Sequence, residues 1–223
     1  TPTSNFRKGV AVQNATADNG QNVFQWQYNS SINDQWIFEP VNRDPSHGVA
    51  YANTVYNQRL PAYPALRQDC ANFVSQCLVA SGVHMRNQWW LDKKNNYYPY
   101  PEDSQIELSW SVKKIGFPPS SPWFSAPRFQ EFWGGSAGNT YSKYAVINEV
   151  NLLYNGGISP GDVVQSLDSN YNAEHTMYVT GYTTTNGNKT LTVAYHTNDN
   201  KDMSLVNFAK VSSSPWYRVY KIR

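Results

Sequence analysis

Long apolar runs are missing from this sequence: nowhere do 18 apolar residues follow one another, so nothing in it reads as a membrane span. The first residues, TPTSNFRKGV, lack the apolar core of a signal peptide, so the chain is expected to be soluble as given, with any targeting segment removed or lying upstream. Charge is scarce as well. Only 15% of the residues are Asp, Glu, Lys or Arg, and the net charge of +2 is too small and too evenly spread for the basic face that phosphate backbones require. Nucleic acid is thereby excluded as the expected partner, and weak attraction to an anionic cell wall is all that charge supports. No glycine motif that could cradle phosphate occurs. The histidines, cysteines and carboxylates nowhere fall at zinc-ligand spacing, so neither cofactor nor metal is expected.

Cysteine is almost absent. Cys70 and Cys77 lie within one apparently helical segment, where a rise of 1.5 Å per residue separates them by roughly 10 Å. That exceeds the ~7 Å limit between bridged Cα atoms, so both are read as free thiols.

What the chain does have is aromatic mass: 8 Trp and 16 Tyr in 223 residues, with 40% apolar residues overall. This rules out a disordered, charge-rich protein and allows one ordinary domain plus a smaller module. The composition reads as extracellular, rich in strands and loops. Residues 1–42 are polar, with short apolar runs (GVAV, NVFQWQYN, DQWIF) between turn residues such as Asp18-Asn19-Gly20, and read as strands. From Asp44 the pattern changes. Asp44 is a helix N-cap, Pro45 a first-turn proline, and Val49, Ala52 and Tyr56 recur at helical spacing toward Arg59. The stiff Leu60–Pro64 connection follows, then a second helix. Residues 84–145, rich in Trp, Tyr and Pro, receive no assignment. From Ile158 onward SPGDVVQSL, HTMYVTGY, TLTVAYHTN and WYRVYKIR read as strands, with a two-residue turn at Asn186-Gly187. Helices followed by antiparallel strands predict an α+β domain over residues 43–223.

Cys70, Phe73, Val74, Cys77 and Leu78 share one face of the second helix, which should end before Gly82, with Asp69 as its N-cap. Cys70 therefore belongs to the first turn and to the mouth of a site. There the amides and dipole should lower its pKa below the ~8.5 of a free thiol and could also stabilise an oxyanion. The plain alternative for both cysteines is core packing, which is the preferred reading for Cys77. Of the four histidines, His47 and His84 lie near helix ends and suggest local roles. His175 begins one strand and His196 ends the next. A two-residue turn would put His175, Asn198, Met177 and His196 on one sheet face, with the two histidines ~7–8 Å apart at Cα. A three-residue turn would instead bring Tyr195 and Thr197 to the face of His175.

The strings AYAN (50–53), DCANFVSQ, SPGDVVQ, HTMYVTGY and YHTND, in this order over roughly Pro45 to Asn200, resemble the bacterial "putative amidase domain" family, a branch of the NlpC-type papain-like cysteine hydrolases. The resemblance implies a papain-like domain in which Cys70 is the nucleophile and His175 the base. His196, or else Asn198, orients that base, and the amides at Asp69 and Cys70, with the Tyr51 hydroxyl, meet the oxyanion. The more ordinary role of Tyr51 is to pack the first helix. Residues 1–42 in turn resemble one ricin-type β-trefoil lectin repeat, through Gly9, Gln25-Trp26, Tyr28-Asn29 and Gln35-Trp36. Asp34 stands where the final signature has Gln. Such a fragment would be the tail of a longer lectin or an appendage, and an extension of the catalytic sheet is the other reading. The expected function is a secreted, monomeric, cofactor-free hydrolase of amide bonds in cell-wall peptides or glycopeptides. The alternatives are a carbohydrate-binding protein with an inactive amidase-like domain and a cysteine acyltransferase.

Overall fold

The computed structural model describes residues 8–12, 23–27, 43–60, 63, 65–84, 89, 121–134, 138–149, 151–185 and 187–222, the first two segments by their backbone alone. The chain divides into two compact units, Thr1–Val41 and Asn42–Arg223. In the first, β1 (Lys8–Val12) and β2 (Val23–Gln27) form an antiparallel pair with Lys8 opposite Gln27 and Val12 opposite Val23. These strands match the runs GVAV and NVFQWQ. The DQWIF run lies outside the described residues.

In the second unit α1 (Pro45–Val55) starts as the sequence indicates: the Ser46 N–H donates to Asp44 Oδ1 at 2.9 Å and Pro45 occupies the first turn. It stops short of Arg59. Helix α2 (Cys70–Ala80) ends at Ser81, whose N–H returns to the Cys77 and Leu78 carbonyls, while Gly82 takes the left-handed conformation (φ 87°) that suits a residue without Cβ. The two helices touch at Gly48, where a Cβ would overlap the Tyr178 hydroxyl and the Cys77 carbonyl. Then come α3 (Ser121–Phe124), α4 (Ala126–Gly134), β3 (Gly138–Ser142), α5 (Lys143–Asn148) and α6 (Leu152–Asn155). The C-terminal half supplies β4 (Val163–Leu167), β5 (Ala173–Thr185), β6 (Asn188–Tyr195), β7 (Asn200–Ser204), α7 (Leu205–Val211) and β8 (Trp216–Tyr220). Strands β3 to β8 form one sheet in the order β3-β8-β4-β5-β6-β7, and every neighbouring pair is antiparallel.

The α+β class holds, but helices cover both sheet faces. On one, Val163, Tyr178, Ala194 and Tyr220 pack against Ala52, Phe73, Val74 and Cys77 of α1 and α2, with Trp123 and Phe129 beside them. On the other, Val164, Met177, Val193 and Tyr217 pack against Val146, Leu153, Leu205 and Ala209 of α5, α6 and α7. Helix α7 interrupts the stretch read as strands only; its Leu205, Val206 and Ala209 are its buried residues.

Helix α2 is buried around nearly its whole circumference, polar side included. Asn72 Oδ1 accepts from Trp123 Nε1 at 2.7 Å, and Ser75 Oγ donates to the Trp123 carbonyl at 2.8 Å and accepts from Trp89 Nε1 at 2.9 Å. Indole N–H groups thus satisfy a helix face that the sequence presents as solvent-facing. Replacing Ser75 with Ala strips two buried groups of their partner, and urea unfolding should show a loss of about 1–3 kcal/mol. An unchanged midpoint would mean that water takes over the bonds.

Candidate active site

Cys70 is the first residue of α2 and is 5% exposed, against Leu167 and Ala173 of β4 and β5, Ala126 of α4, and Trp216. The Thr176 and Ala71 backbone N–H groups and the Thr176 hydroxyl favour its thiolate form. The Thr176 N–H is available because the β5–β6 ladder has already ended at the Tyr178–Ala194 pair. Cys70 is not at an open mouth, as the sequence reading expects. Burial, the largest influence, pushes its thiol up to about 11 despite the Thr176 and Ala71 donors, and the Asp69 charge adds to the rise. The expected lowering below 8.5 fails because a thiolate here loses more in hydration than three donors return. Cys77, fully buried, is raised well above its ordinary value, chiefly by burial.

Asp69 occupies the N-cap position without capping. Its carboxylate makes no bond to a helix N–H; Oδ1 accepts from Asn72 Nδ2 at 2.7 Å and from the Leu66 N–H at 3.3 Å. Oδ2 takes Arg59 Nε at 3.0 Å and the Nδ1–H of His196 at 2.5 Å. His196 also donates from Nε2 to the Val55 carbonyl at 3.0 Å, and its ring stacks on Phe73 with centroids 4.1 Å apart. Both ring nitrogens are thus engaged, one with Asp69 and the other with Val55. Arg59 extends the junction to Asp199 through two bonds of 2.8 and 3.2 Å. Burial opposes ionisation of Asp199, but the Arg59 bonds win and hold it below the ordinary carboxylate range. The Thr197 hydroxyl closes the network by accepting from the Asp69 N–H at 3.0 Å, in a turn where Thr197 and Asn198 both have positive φ (66° and 64°). For a β-branched Thr that conformation is strained by an estimated ~1–3 kcal/mol.

The two-residue turn is present, with Thr185 opposite Asn188 and Gly181 opposite Thr192, yet His175 and His196 do not share a face. Between Gly181 and Val179 the pairing slips by one residue, so Val179 meets Val193 and Tyr178 meets Ala194. The slip at Thr180 inverts every face beyond it, as a three-residue turn would have done. A second bulge at Glu174 lies between the Ser166–His175 and Leu167–Ala173 pairs. His175 consequently points to the sheet face opposite Cys70 and Thr176, where its ring meets Tyr195 edge-on at 4.9 Å and stacks on Phe208 at 5.8 Å. The expected convergence of both histidines on Cys70 is therefore corrected: one lies across β5, the other is held by Asp69 and Val55. An isolated glycine inside a strand pattern, Gly181, was the available sign of a bulge.

Asn198 is exposed in its turn and does not face His175. The Tyr51 hydroxyl donates to Gln76 Oε1 at 2.7 Å, deeper along α2 than Cys70, and burial raises its pKa, so it joins α1 to α2. Among the described residues no three His, Cys, Asp or Glu side chains cluster closely enough to hold a metal ion. Sequence reasoning gave no role to Arg59 and Thr197, which bond Asp69, to Asp199, which bonds Arg59, or to Thr176 and Gln165 on β5 and β4. A lone Gln in the apolar run of β4 was a signal for the last. His175 Nε2 is buried with no hydrogen-bond partner, and burial lowers the ring's pKa from 6.5 to about 4. Its neutral form therefore contributes stability that is complete above pH 6.5 and is lost as pH falls through 4. His175→Leu should flatten that limb of the stability curve in urea titrations between pH 6.5 and 4, and an unaltered slope would place the ring in water.

Residues 42–220 match the family described as "Putative amidase domain". The "Uncharacterized protein YhbB" of Bacillus subtilis (strain 168) is 34% identical over 74 residues, 30% of this chain and 24% of that protein, so the match spans about a quarter of the relative's length. No solved structure matches the chain. With the family match extending from just before α1 to the end of β8, this chain belongs to the putative amidase domain family.

Proposed function

We propose that the chain hydrolyses amide bonds of bacterial cell-wall peptides through a thioester on Cys70. The observation that carries the proposal is the place of Cys70 at the first position of α2, packed against β4 and β5, where neighbouring donors of Ala71 and Thr176 favour a thiolate. These donors would stabilise the thiolate once its proton is taken. A nucleophile at a helix start, packed on an antiparallel sheet, is also what a papain-like hydrolase requires. In the reaction the thiolate attacks the amide carbonyl, and the C–N bond breaks as the amine leaves with a proton. Water then cleaves the C–S bond to give a carboxylic acid and the free thiol.

His175 is the proton acceptor in this proposal. Its Nε2 is buried without a partner, and burial keeps the ring neutral at pH 7. In the present arrangement it faces away from the sulfur. The peptide substrate class follows from the resemblance of the motifs, and the secreted, cell-wall setting is proposed with it. The lectin-like reading of residues 1–42, with carbohydrate as its ligand, is proposed on the same footing.

Digestion of purified peptidoglycan, with the new ends identified by mass spectrometry, tests the reading. The wild-type protein should release new amine and carboxyl ends, and Cys70→Ala should abolish the release. His175→Ala should do the same while leaving Cys70 open to alkylation; full activity in that variant would remove His175 from the reaction. Release persisting in Cys70→Ala would overturn the nucleophile. Binding without cleavage by the wild-type protein would favour the carbohydrate-binding alternative.

A further inference from the structure

The turn between β4 and β5 holds an exposed aromatic ring beside the Cys70 cluster, at a conformational cost. Tyr171 is 45% exposed and has φ 65°, the left-handed conformation that a residue with a Cβ rarely takes. The turn is fastened from within: the Asp168 N–H donates to the Asn172 carbonyl at 2.9 Å and the Tyr171 N–H to the Asp168 carbonyl at 3.1 Å. Asp168 Oδ1 accepts from the Asn170 and Asn172 N–H groups at 2.8 and 2.9 Å, and Oδ2 from Asn172 Nδ2 at 3.2 Å. It is also clamped from α4, where Gln130 donates through Nε2 to the Tyr171 carbonyl and accepts the Ala173 N–H through Oε1, both at 2.8 Å. Glycine would fit this geometry without strain, so the tyrosine is there for its ring. One face of that ring lies on Trp216, with centroids 5.0 Å apart and planes inclined by 29°. Trp216 stands opposite Leu167 on β4, and Leu167 opposite Ala173 on β5, so the three form a row on one sheet face. That face is the one Cys70 meets: Leu167 and Ala173 cluster with Cys70 and Ala126, and Trp216 packs against them.

We propose that Tyr171 and Trp216 form a platform that binds a saccharide ring next to Cys70, so that the substrate is an amide carried on a glycan. The electron-rich face of an aromatic ring suits the C–H groups on the flat side of a sugar. Ser169, Asn170 and Asn172 of the same turn are exposed and supply neutral hydroxyl and amide groups for sugar hydroxyls. The two carboxylates of this connection are already engaged, Asp168 within the turn and Glu174 with the Ser214 hydroxyl at 2.7 Å. An apolar peptide side chain is better served by an enclosed pocket than by a flat pair of rings. Because Asp168 and Gln130 fix the turn in advance, little ordering is left to oppose binding. The use of the platform in catalysis rests on the amidase reading of Cys70; saccharide binding does not.

The test is calorimetric titration of the full chain with an N-acetylglucosamine tetramer, beside thermal melts followed by circular dichroism. The wild-type protein should bind saturably, and Tyr171→Gly should weaken binding by about tenfold. The melting temperature of Tyr171→Gly should stay level or rise, because glycine relieves the left-handed strain. A ring present only to pack on Trp216 would give the reverse, a lower melting temperature with binding unchanged. Tyr171→Phe keeps the ring and should bind within about twofold of wild type. If Tyr171→Gly does not fold, Tyr171→Asn, which also tolerates this conformation, supplies the comparison. Bound tetramer should also slow alkylation of Cys70 by iodoacetamide in the wild-type protein and not in Tyr171→Gly. No binding by the wild-type protein, or binding unaltered in Tyr171→Gly, as a site in residues 1–42 would give, would overturn the platform. So would a sugar-free stem peptide that binds through Tyr171 in place of the tetramer, and absence of protection would separate the platform from Cys70 and overturn its placement. Failure to cleave peptidoglycan, with binding through Tyr171 retained, would sink the amidase reading and leave the platform standing.

Discussion

One buried carboxylate holds this architecture together. Asp69 accepts from Asn72, Leu66, His196 and Arg59, and so ties the last turn of α1, the loop before α2, the start of α2 and the β6–β7 turn to a single group. A buried charge is costly unless every lone pair is used, and here the partners come from four different segments. The network's geometric consequence is that the residue after Asp69, Cys70, has little freedom of position. The strain at Thr197 is intelligible in the same terms, since the turn is held where its hydroxyl meets the Asp69 N–H.

The high aromatic content of the chain acts through polar edges as much as through apolar faces. Trp89, Trp123 and Tyr51 each offer one hydrogen-bond donor to the polar side of α2 and enclose it with their rings. That is how a helix carrying Asn72, Ser75 and Gln76 can be buried on all sides without leaving those groups unsatisfied. Tyr220 acts in the same way between strands, its hydroxyl donating to Gln165 Oε1 while the Gln165 amide donates to Thr176 Oγ1.

The environment of Cys70 is a balance of opposing influences. Burial drives the thiol toward the neutral form more strongly than the donors drive it toward the thiolate. A thiol in that condition stays protonated at neutral pH.

Local signals were sufficient for some of this. Asp44-Pro45 marks the start of α1, the spacing of Cys70, Phe73, Val74 and Cys77 with Gly82 marks the extent of α2, and Asn186-Gly187 marks the hairpin. Each is encoded within a few residues by capping, periodicity or turn chemistry, which act over the same range. The motif order likewise pointed to Cys70 and to its family. What only the tertiary structure decided is which face each side chain occupies and which partner it meets. The slip at Thr180 and the bulge at Glu174 put His175 across the sheet from Cys70. Arg59 and Asp199, distant in sequence, turned His196 and Asp69 into a junction. A period-two strand inverts its faces with one inserted residue, and a buried charge finds its partners only when the chain has closed around it. For that physical reason the sequence by itself marked the helix that carries Cys70, while the tertiary structure determined the groups arranged around it.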